Sequence, residues 1–210
     1  MRLFRSVEFI IVFVLLPVVI WLTNRLGLYL ELPTLLLTSS YSAWRLVATG
    51  SSTKSFFSFR GVAPSIPGIL IRWSLGTALL LILTRRFAPE QLLAFPRQRP
   101  ALWTIVMLLY PVLSAYPQEI IYRPFLFQAY PALHRSSDLL LIVFSATVYS
   151  FVHVVYNNWI AVVLTFAGGL MFAHTYLRTR SLPAVWIEHS LWGNMIFTVG
   201  LGRYFYHSWT

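Results

Sequence analysis

A glutamate and two histidines lie in stretches of this sequence that are otherwise strongly apolar. Glu119 falls in PQEIIYR, His153 in YSFVHVVYNN and His189 in VWIEHSLWGN. A carboxylate or an imidazole can take a proton from water as a general base. The same side chains could instead bind a zinc ion, which lowers the pKa of its bound water. Water activation is therefore the chemistry that these residue types indicate.

Two neighbours of Glu119 are also polar. Arg123 follows four residues later, so the two side chains share a helix face and can pair, while Gln118 comes directly before. A plain alternative is an ion pair that fixes helix packing, with each histidine hydrogen-bonded in the core. However, an ionisable group inside a membrane span costs at least ~2.5–3.5 kcal/mol, which favours a functional role. We expect Glu119, His153 and His189 to converge within one bundle.

The rest of the chain indicates membrane helices. Of its 210 residues, 58% are hydrophobic and only 10% are charged, whereas a soluble domain has roughly 25% charged residues. Apolar runs that approach or reach the length of a membrane span are residues 9–23, 66–84, 101–116, 139–156, 159–177 and 182–202, with a weaker run at 33–49 that Arg45 interrupts. We predict an all-α fold, a polytopic bundle of six to eight transmembrane helices in a single integral-membrane domain, 1–210.

The charge distribution and the absence of cysteine limit which partners and which chemistry are possible. The net charge is +10, but no polar surface exists on which a nucleic-acid site could be organised, so nucleic acid is not expected. The arginines cluster at the ends of the spans, where they contact lipid headgroups, and membrane lipids are therefore expected partners. The absence of cysteine excludes disulfides and a cysteine nucleophile. We expect a multi-pass protein of the plasma or inner membrane, with an orientation that the charges do not resolve.

Two prolines precede Glu119 in the segment 101–130 that carries it. Pro111 and Pro117 each remove a backbone donor and favour a kink or a break. If residues 101–130 formed one straight span, Glu119 would lie near the membrane face opposite His153. We therefore predict that the helix breaks in the region of the two prolines.

Three motifs, in their order along the chain, resemble those of the CAAX-processing and bacteriocin-processing intramembrane proteases. This family is also called the type II CAAX prenyl endopeptidase, or Abi, family. The motifs are QEIIYR at 118–123, YSFVH at 149–153, and HSLWG followed by Asn194 at 189–194. The resemblance covers a family-like catalytic core at about residues 100–200. It implies a membrane endopeptidase whose site lies within the bundle.

The resemblance also implies roles for six residues. These are Glu119 as base or metal ligand, His153 as base partner or ligand, His189 as oxyanion donor or ligand, Gln118 and Asn194 as polarising donors, and Arg123 as the residue that orients Glu119. Gln118 stands where the family has the first glutamate of an acidic pair, and an amide cannot act as a general base. Asn194 comes five residues after His189 rather than four, so it reaches the site only if the helix is irregular at Gly193.

The expected function is hydrolysis of a peptide bond in a membrane-associated protein or peptide, by an endopeptidase of the glutamate or metallo type. Zinc is expected only if Glu119, His153 and His189 act as its ligands, and no other cofactor is indicated. One alternative is a catalytically impaired relative that acts as a membrane scaffold or binding protein. Another is a transporter that relays protons through Glu119, His153 and Glu188. Leader-peptide processing or an immunity role fits the sequence as well as cleavage of a prenylated peptide.

Overall fold

The computed structural model describes residues 2–50, 54–130 and 137–205. Every regular element in these residues is helical and none is a strand, which confirms the predicted all-α fold. The helices are α1 (Leu3–Arg25), α2 (Glu31–Ala48), α3 (Val62–Phe87), α4 (Ala94–Gln98), α5 (Pro100–Ala129), α6 (Asp138–Val152), α7 (Trp159–Thr179) and α8 (Leu182–Val199). A 3-10 turn, His153–Tyr156, continues α6.

Five of these helices, α1, α3, α5, α6 and α7, are long and apolar enough to cross a membrane. Helices α2 and α8 have 18 residues each and pack in the same bundle, which gives seven long helices in the described residues. Large apolar side chains such as Leu75, Ile82 and Leu108 are more than half exposed on the outside. An outer surface of this kind suits lipid rather than water. Five helices qualify as spans, and the number would fall within the predicted six to eight only if α2 and α8 also cross the membrane.

Helix α5 is continuous, so the predicted break at Pro111 and Pro117 is wrong. Two π-helical segments, Pro111–Ala115 and Ile121–Phe125, lie within it and interrupt the regular hydrogen-bonding pattern around the prolines. With 30 residues, α5 is ~45 Å long at ~1.5 Å per residue. Glu119 therefore lies about 15 Å before its C-terminal end. The motif reaches the middle of the bundle without a break.

Close packing of α6 against α7 positions the second motif. A Cβ atom at Gly169 would lie 2.9 Å from Ala146 Cα and 3.1 Å from Tyr149 Cδ1, so no larger residue fits there. Tyr149 is thereby held against α7. His153 lies one helical turn after Tyr149. The 3-10 segment that begins at His153 ends at Asn157, whose φ of 56° is left-handed.

Arg45, which interrupts the weakest apolar run, is neutralised within the bundle. Glu8 of α1 accepts hydrogen bonds from Arg45 Nε at 3.1 Å and from the Tyr41 hydroxyl, both on α2. The side chain of Glu8 is only 2% exposed. Because each buried charge has a partner, its desolvation is partly offset and α2 can lie among the other helices.

Candidate active site

His189 is held by side chains from three other helices. Its Nδ1 lies 2.7 Å from Glu119 Oε1 on α5. Its Nε2 lies 2.9 Å from the Tyr110 hydroxyl, also on α5, and 3.1 Å from the Tyr149 hydroxyl on α6. The ring of Phe172, on α7, stacks on the imidazole with 4.6 Å between centroids. Because a carboxylate only accepts, Nδ1 of the neutral ring carries the proton and Nε2 carries the lone pair.

The start of α8 sets the depth of His189. Ser181 caps the helix by accepting a hydrogen bond from Ala184 N at 3.2 Å. Pro183 lies in the first turn, where its missing donor is not needed. His189 then follows about two turns into the helix, ~10 Å from its first residue.

Glu119 and Arg123 form the buried pair that their spacing predicts. Arg123 Nε donates to Glu119 Oε2 at 2.8 Å, and neither side chain is exposed. Arg123 also donates to Ser145 Oγ and lies over the Tyr149 ring, 5.4 Å from its centroid. The two oxygens of Glu119 therefore accept from Arg123 and His189, and the carboxylate is enclosed by protein on all sides.

A cavity of about 390 Å³ lies beside this cluster. Gln118, His153 and His189 line it, together with Tyr110 and Tyr149, whereas Glu119 does not. His153 Nδ1 lies 2.8 Å from the carbonyl oxygen of Tyr149. Since a carbonyl only accepts, Nδ1 of the neutral ring carries the proton and Nε2 carries the lone pair. The structure thus brings three of the predicted site residues to one cavity.

A smaller cavity of about 90 Å³ shares Gln118, His153 and Tyr156 with the larger one. It is bounded by α1 and α2 and extends to Glu31, the first residue of α2. Gln118 Nε2 donates to Ser114 Oγ at 2.8 Å. Its Oε1 has no hydrogen-bond partner among the described residues. Gln118 therefore brings an unused acceptor to a wall common to both cavities.

Asn194 is not among the residues that line either cavity. Helix α8 is regular through Gly193, so the condition under which Asn194 would reach the site is not met. Asn194 Nδ2 instead donates to Met107 O at 3.2 Å. Tyr110 occupies the space beside Gly193, because a Cβ atom there would lie 2.1 Å from Tyr110 Cε1. The geometry gives no support to the donor role predicted for Asn194, and it places a tyrosine hydroxyl beside His189 instead.

Glu188 lies away from the cavity, although it is next to His189 in sequence. Its Oε1 accepts from Arg72 Nε at 2.9 Å and from Arg72 Nη2 at 2.7 Å, and Thr175 donates to Oε2. The three groups of the relay considered for a transporter, Glu119, His153 and Glu188, do not share a cavity wall. Glu188 has a structural pairing with Arg72 instead.

Two residues of this region were missed by sequence reasoning. Tyr110, Ser114 and Gln118 are spaced by four residues, which places them on one helix face, and this spacing was the available signal for Tyr110. Arg72 lies inside an apolar run, as Glu119 does, so the same argument from charge in a span applies to it.

The described residues contain no group of three His, Asp or Glu side chains arranged to hold a metal ion. In the predicted zinc set, both ring nitrogens of His189 already contact protein groups, and Nδ1 of His153 faces a backbone carbonyl. As arranged, Glu119, His153 and His189 do not offer the open ligand set of a zinc site.

Membrane-length helices surround an enclosed Glu–His pair and a largely apolar cavity with a few polar side chains on its wall. Together they define an all-α intramembrane protein with an enzyme-like site. Residues 100–195 match the sequence model described as Rce1-like, type II CAAX prenyl endopeptidase Rce1-like. The resemblance inferred from the motifs is confirmed over this segment. It supports a CAAX-type intramembrane protease in general and, with the five apolar helices, an integral membrane protein. No curated protein and no solved structure gives a significant match to the chain.

Proposed function

We propose that this chain is an endopeptidase of the plasma or inner membrane that hydrolyses a peptide bond of a membrane-associated protein or peptide. The observation that carries the proposal is the cavity of about 390 Å³ whose wall includes Gln118, His153 and His189. The similarity of residues 100–195 to type II CAAX prenyl endopeptidases supports the reaction class. A largely apolar cavity with a few polar groups is a suitable place for a peptide and water to meet.

In the proposed reaction, His153 rather than Glu119 takes the proton from water. His153 lies on the cavity wall, with Nε2 as the ring nitrogen that carries the lone pair. Gln118 Oε1, a buried acceptor without a partner among the described residues, would accept a hydrogen bond from the same water and so orient it. The oxygens of Glu119 already accept from Arg123 and His189, and the carboxylate does not reach the cavity. The geometry therefore does not support the role of base that the resemblance implied for Glu119.

The two tyrosine hydroxyls are the proposed oxyanion donors. Nε2 of His189 has one lone pair and accepts from one hydroxyl at a time, which leaves the other free to donate to the scissile carbonyl oxygen. The water oxygen bonds to the carbonyl carbon as His153 takes a proton. The tetrahedral intermediate then expels the amine, to which His153 returns that proton. Glu119 acts as a positioning residue, because it holds His189 and thereby Tyr110 and Tyr149.

A second candidate function is a membrane protein that binds a peptide without cleaving it. The observation in its favour is that no carboxylate occurs among the described residues that line the larger cavity. A binding protein of this kind would keep the cavity and the fixed His189. It would lack a general base, because Gln118 stands where the family has a glutamate.

Cleavage of candidate membrane peptides by the purified protein in detergent micelles tests the proposal. We expect His153→Ala to lower kcat at least about 100-fold, because it removes the base. Tyr110→Phe should lower kcat roughly 10- to 100-fold, with Tyr149 partly compensating. Tyr116→Phe, on the same helix but outside the cavity, is the matched control.

Glu119→Gln should also reduce cleavage, because it loosens His189, whereas Glu90→Gln at an exposed turn should not. Equal cleavage by wild type, His153→Ala and Glu119→Gln would remove both residues from catalysis. Specific capture of a peptide that the wild type never cleaves would identify the binding protein instead.

A further inference from the structure

A cavity of about 470 Å³, separate from the candidate active site, lies between α3 and α7. The ionisable side chains on its wall are all basic: Arg60, Arg72, His174 and Arg178. None of the described residues that line it is acidic. Its volume lies within the range of about 300–1,000 Å³ that is typical of small-molecule sites.

The cavity runs from the ends of two helices inward along α3. Arg60 lies in the 3-10 turn that leads into α3, Arg178 lies in the last turn of α7, and both are exposed. These two helix ends meet, because a Cβ atom at Gly61 would lie 2.7 Å from Thr179 Cβ. Arg72 lies ~15 Å further along α3, and its side chain is 33% exposed.

Only one carboxylate offsets the three arginines. Arg72 uses Nε and Nη2 to contact Glu188, at 2.9 and 2.7 Å, and Nη2 also donates to Thr175. Arg72 Nη1 has no hydrogen-bond partner among the described residues, and it passes 3.5 Å from the place where a Cβ of Gly68 would be. Glu188 is fully buried behind Arg72. The cavity therefore presents an excess of positive charge and an unused guanidinium donor.

We infer that this cavity binds the phosphate group of an anionic phospholipid. Guanidinium groups donate paired hydrogen bonds to phosphate oxygens, and basic pockets between transmembrane helices at the membrane surface suit anionic headgroups. A lipid is favoured over free phosphate because Arg60 and Arg178 lie at helix ends, where headgroups lie. A lipid bound here would tie α3 to α7. Through the contact of Arg72 with Glu188, it would also tie α3 to the helix that carries His189.

The experiment compares two double variants that each remove two exposed arginines. Arg60→Gln/Arg178→Gln removes charges from the cavity, and Arg85→Gln/Arg86→Gln removes them from the last turn of α3. The purified proteins are titrated with phosphatidylglycerol or phosphatidylcholine in detergent micelles, and bound lipid is measured by native mass spectrometry. We expect phosphatidylglycerol to bind wild type and the α3-end variant equally. It should bind the cavity variant at least about 10-fold more weakly.

Two further arms make the result specific. Arg60→Lys/Arg178→Lys keeps the charge and should keep most of the phosphatidylglycerol binding, which excludes loss through misfolding. Equal weakening in both glutamine variants, or phosphatidylcholine binding as tight as phosphatidylglycerol binding, would overturn the proposal. If inorganic phosphate binds as tightly as phosphatidylglycerol, with the same loss in the cavity variant, the phosphate site stands and its assignment to lipid falls.

Discussion

At the scale of residues, the centre of the site is a series of paired groups that runs from Arg123 through Glu119 to His189. Arg123 offsets the charge of Glu119, Glu119 fixes the proton of His189 on Nδ1, and the lone pair on Nε2 faces two tyrosine hydroxyls. A buried charge of this kind is tolerable only while its partner is present. A change that breaks one of these pairs should therefore lower folding stability and also displace Tyr110 and Tyr149, the proposed oxyanion donors.

Glu119→Gln should destabilise the protein by roughly 3 kcal/mol, because Arg123 would keep a buried charge without a counterion. The measurement is unfolding of the purified protein by a denaturing detergent. Arg123→Met alone should cost a similar amount. The double variant should cost clearly less than the sum, since both changes remove one interaction. Additive effects would show that the two residues do not act as a pair.

Gln118→Glu should increase peptide cleavage by at least about 10-fold, because it adds a carboxylate to the cavity wall beside His153. Thermal stability should fall at the same time, since a carboxylate is costly to bury in a largely apolar wall. Gln128→Glu introduces the same change later in α5, outside both cavities, and is the matched control. An unchanged rate in a folded Gln118→Glu protein would contradict the position proposed for the attacking water.

At the scale of elements, α5 supplies both the buried charge and one of the hydroxyls. Its two π-helical segments flank the turn Tyr116–Ile120, which holds Gln118 and Glu119. These neighbouring residues end in different surroundings, Gln118 on the cavity wall and Glu119 beneath His189. Helix α8 meets α5 at Gly193, where the lack of a side chain makes room for the Tyr110 ring.

The sequence predicted contacts between residues of the same helix, because these depend only on helical spacing. The pair of Glu119 with Arg123 followed from their spacing. The choice of His153 and His189 rested on polarity inside apolar runs, and both line one cavity. The enclosure of Glu119 and the orientation of Asn194 depend on which helices are neighbours, and a single-helix pattern does not contain that information. The break expected at Pro111 failed for another reason: π-helical turns adapt the helix to its prolines without interrupting it.

Gly193→Ala should separate α8 from α5. The new Cβ would lie 2.1 Å from Tyr110 Cε1, so the tyrosine ring or the helix must shift, at a cost of about 1–3 kcal/mol. Cleavage should fall together with stability, because Tyr110 would leave His189. Gly68→Ala is the control, as its Cβ would meet only Arg72 Nη1, at an ordinary 3.5 Å. Equal stability of the two variants would argue against the close contact.

At the scale of the whole molecule, if each of the seven long helices crosses the membrane once, the helix ends divide between two faces of the bundle. Ser181 donates to Ser58 O, which joins the start of α8 to the start of α3 on one face. Among the described residues, that face carries Arg2, Arg5, Lys54, Arg60, Arg178 and Arg180, and the other carries Arg25, Arg85, Arg86, Arg97, Arg99 and Arg203. Because the two faces carry equal numbers of these basic residues, the distribution of positive charge does not predict which face is cytoplasmic.

Single introduced cysteines can test this arrangement, because the chain has none of its own. We expect a membrane-impermeant maleimide to label Arg60→Cys and Arg180→Cys from one side of sealed vesicles. Arg97→Cys and Arg203→Cys should be labelled only from the other, since all four positions are exposed and follow the alternation of helix ends. Ala146→Cys, fully buried, should stay unlabelled until the protein is denatured. Labelling of Arg60→Cys and Arg180→Cys from opposite sides would contradict the bundle, because the adjacent Gly61 and Thr179 are in contact.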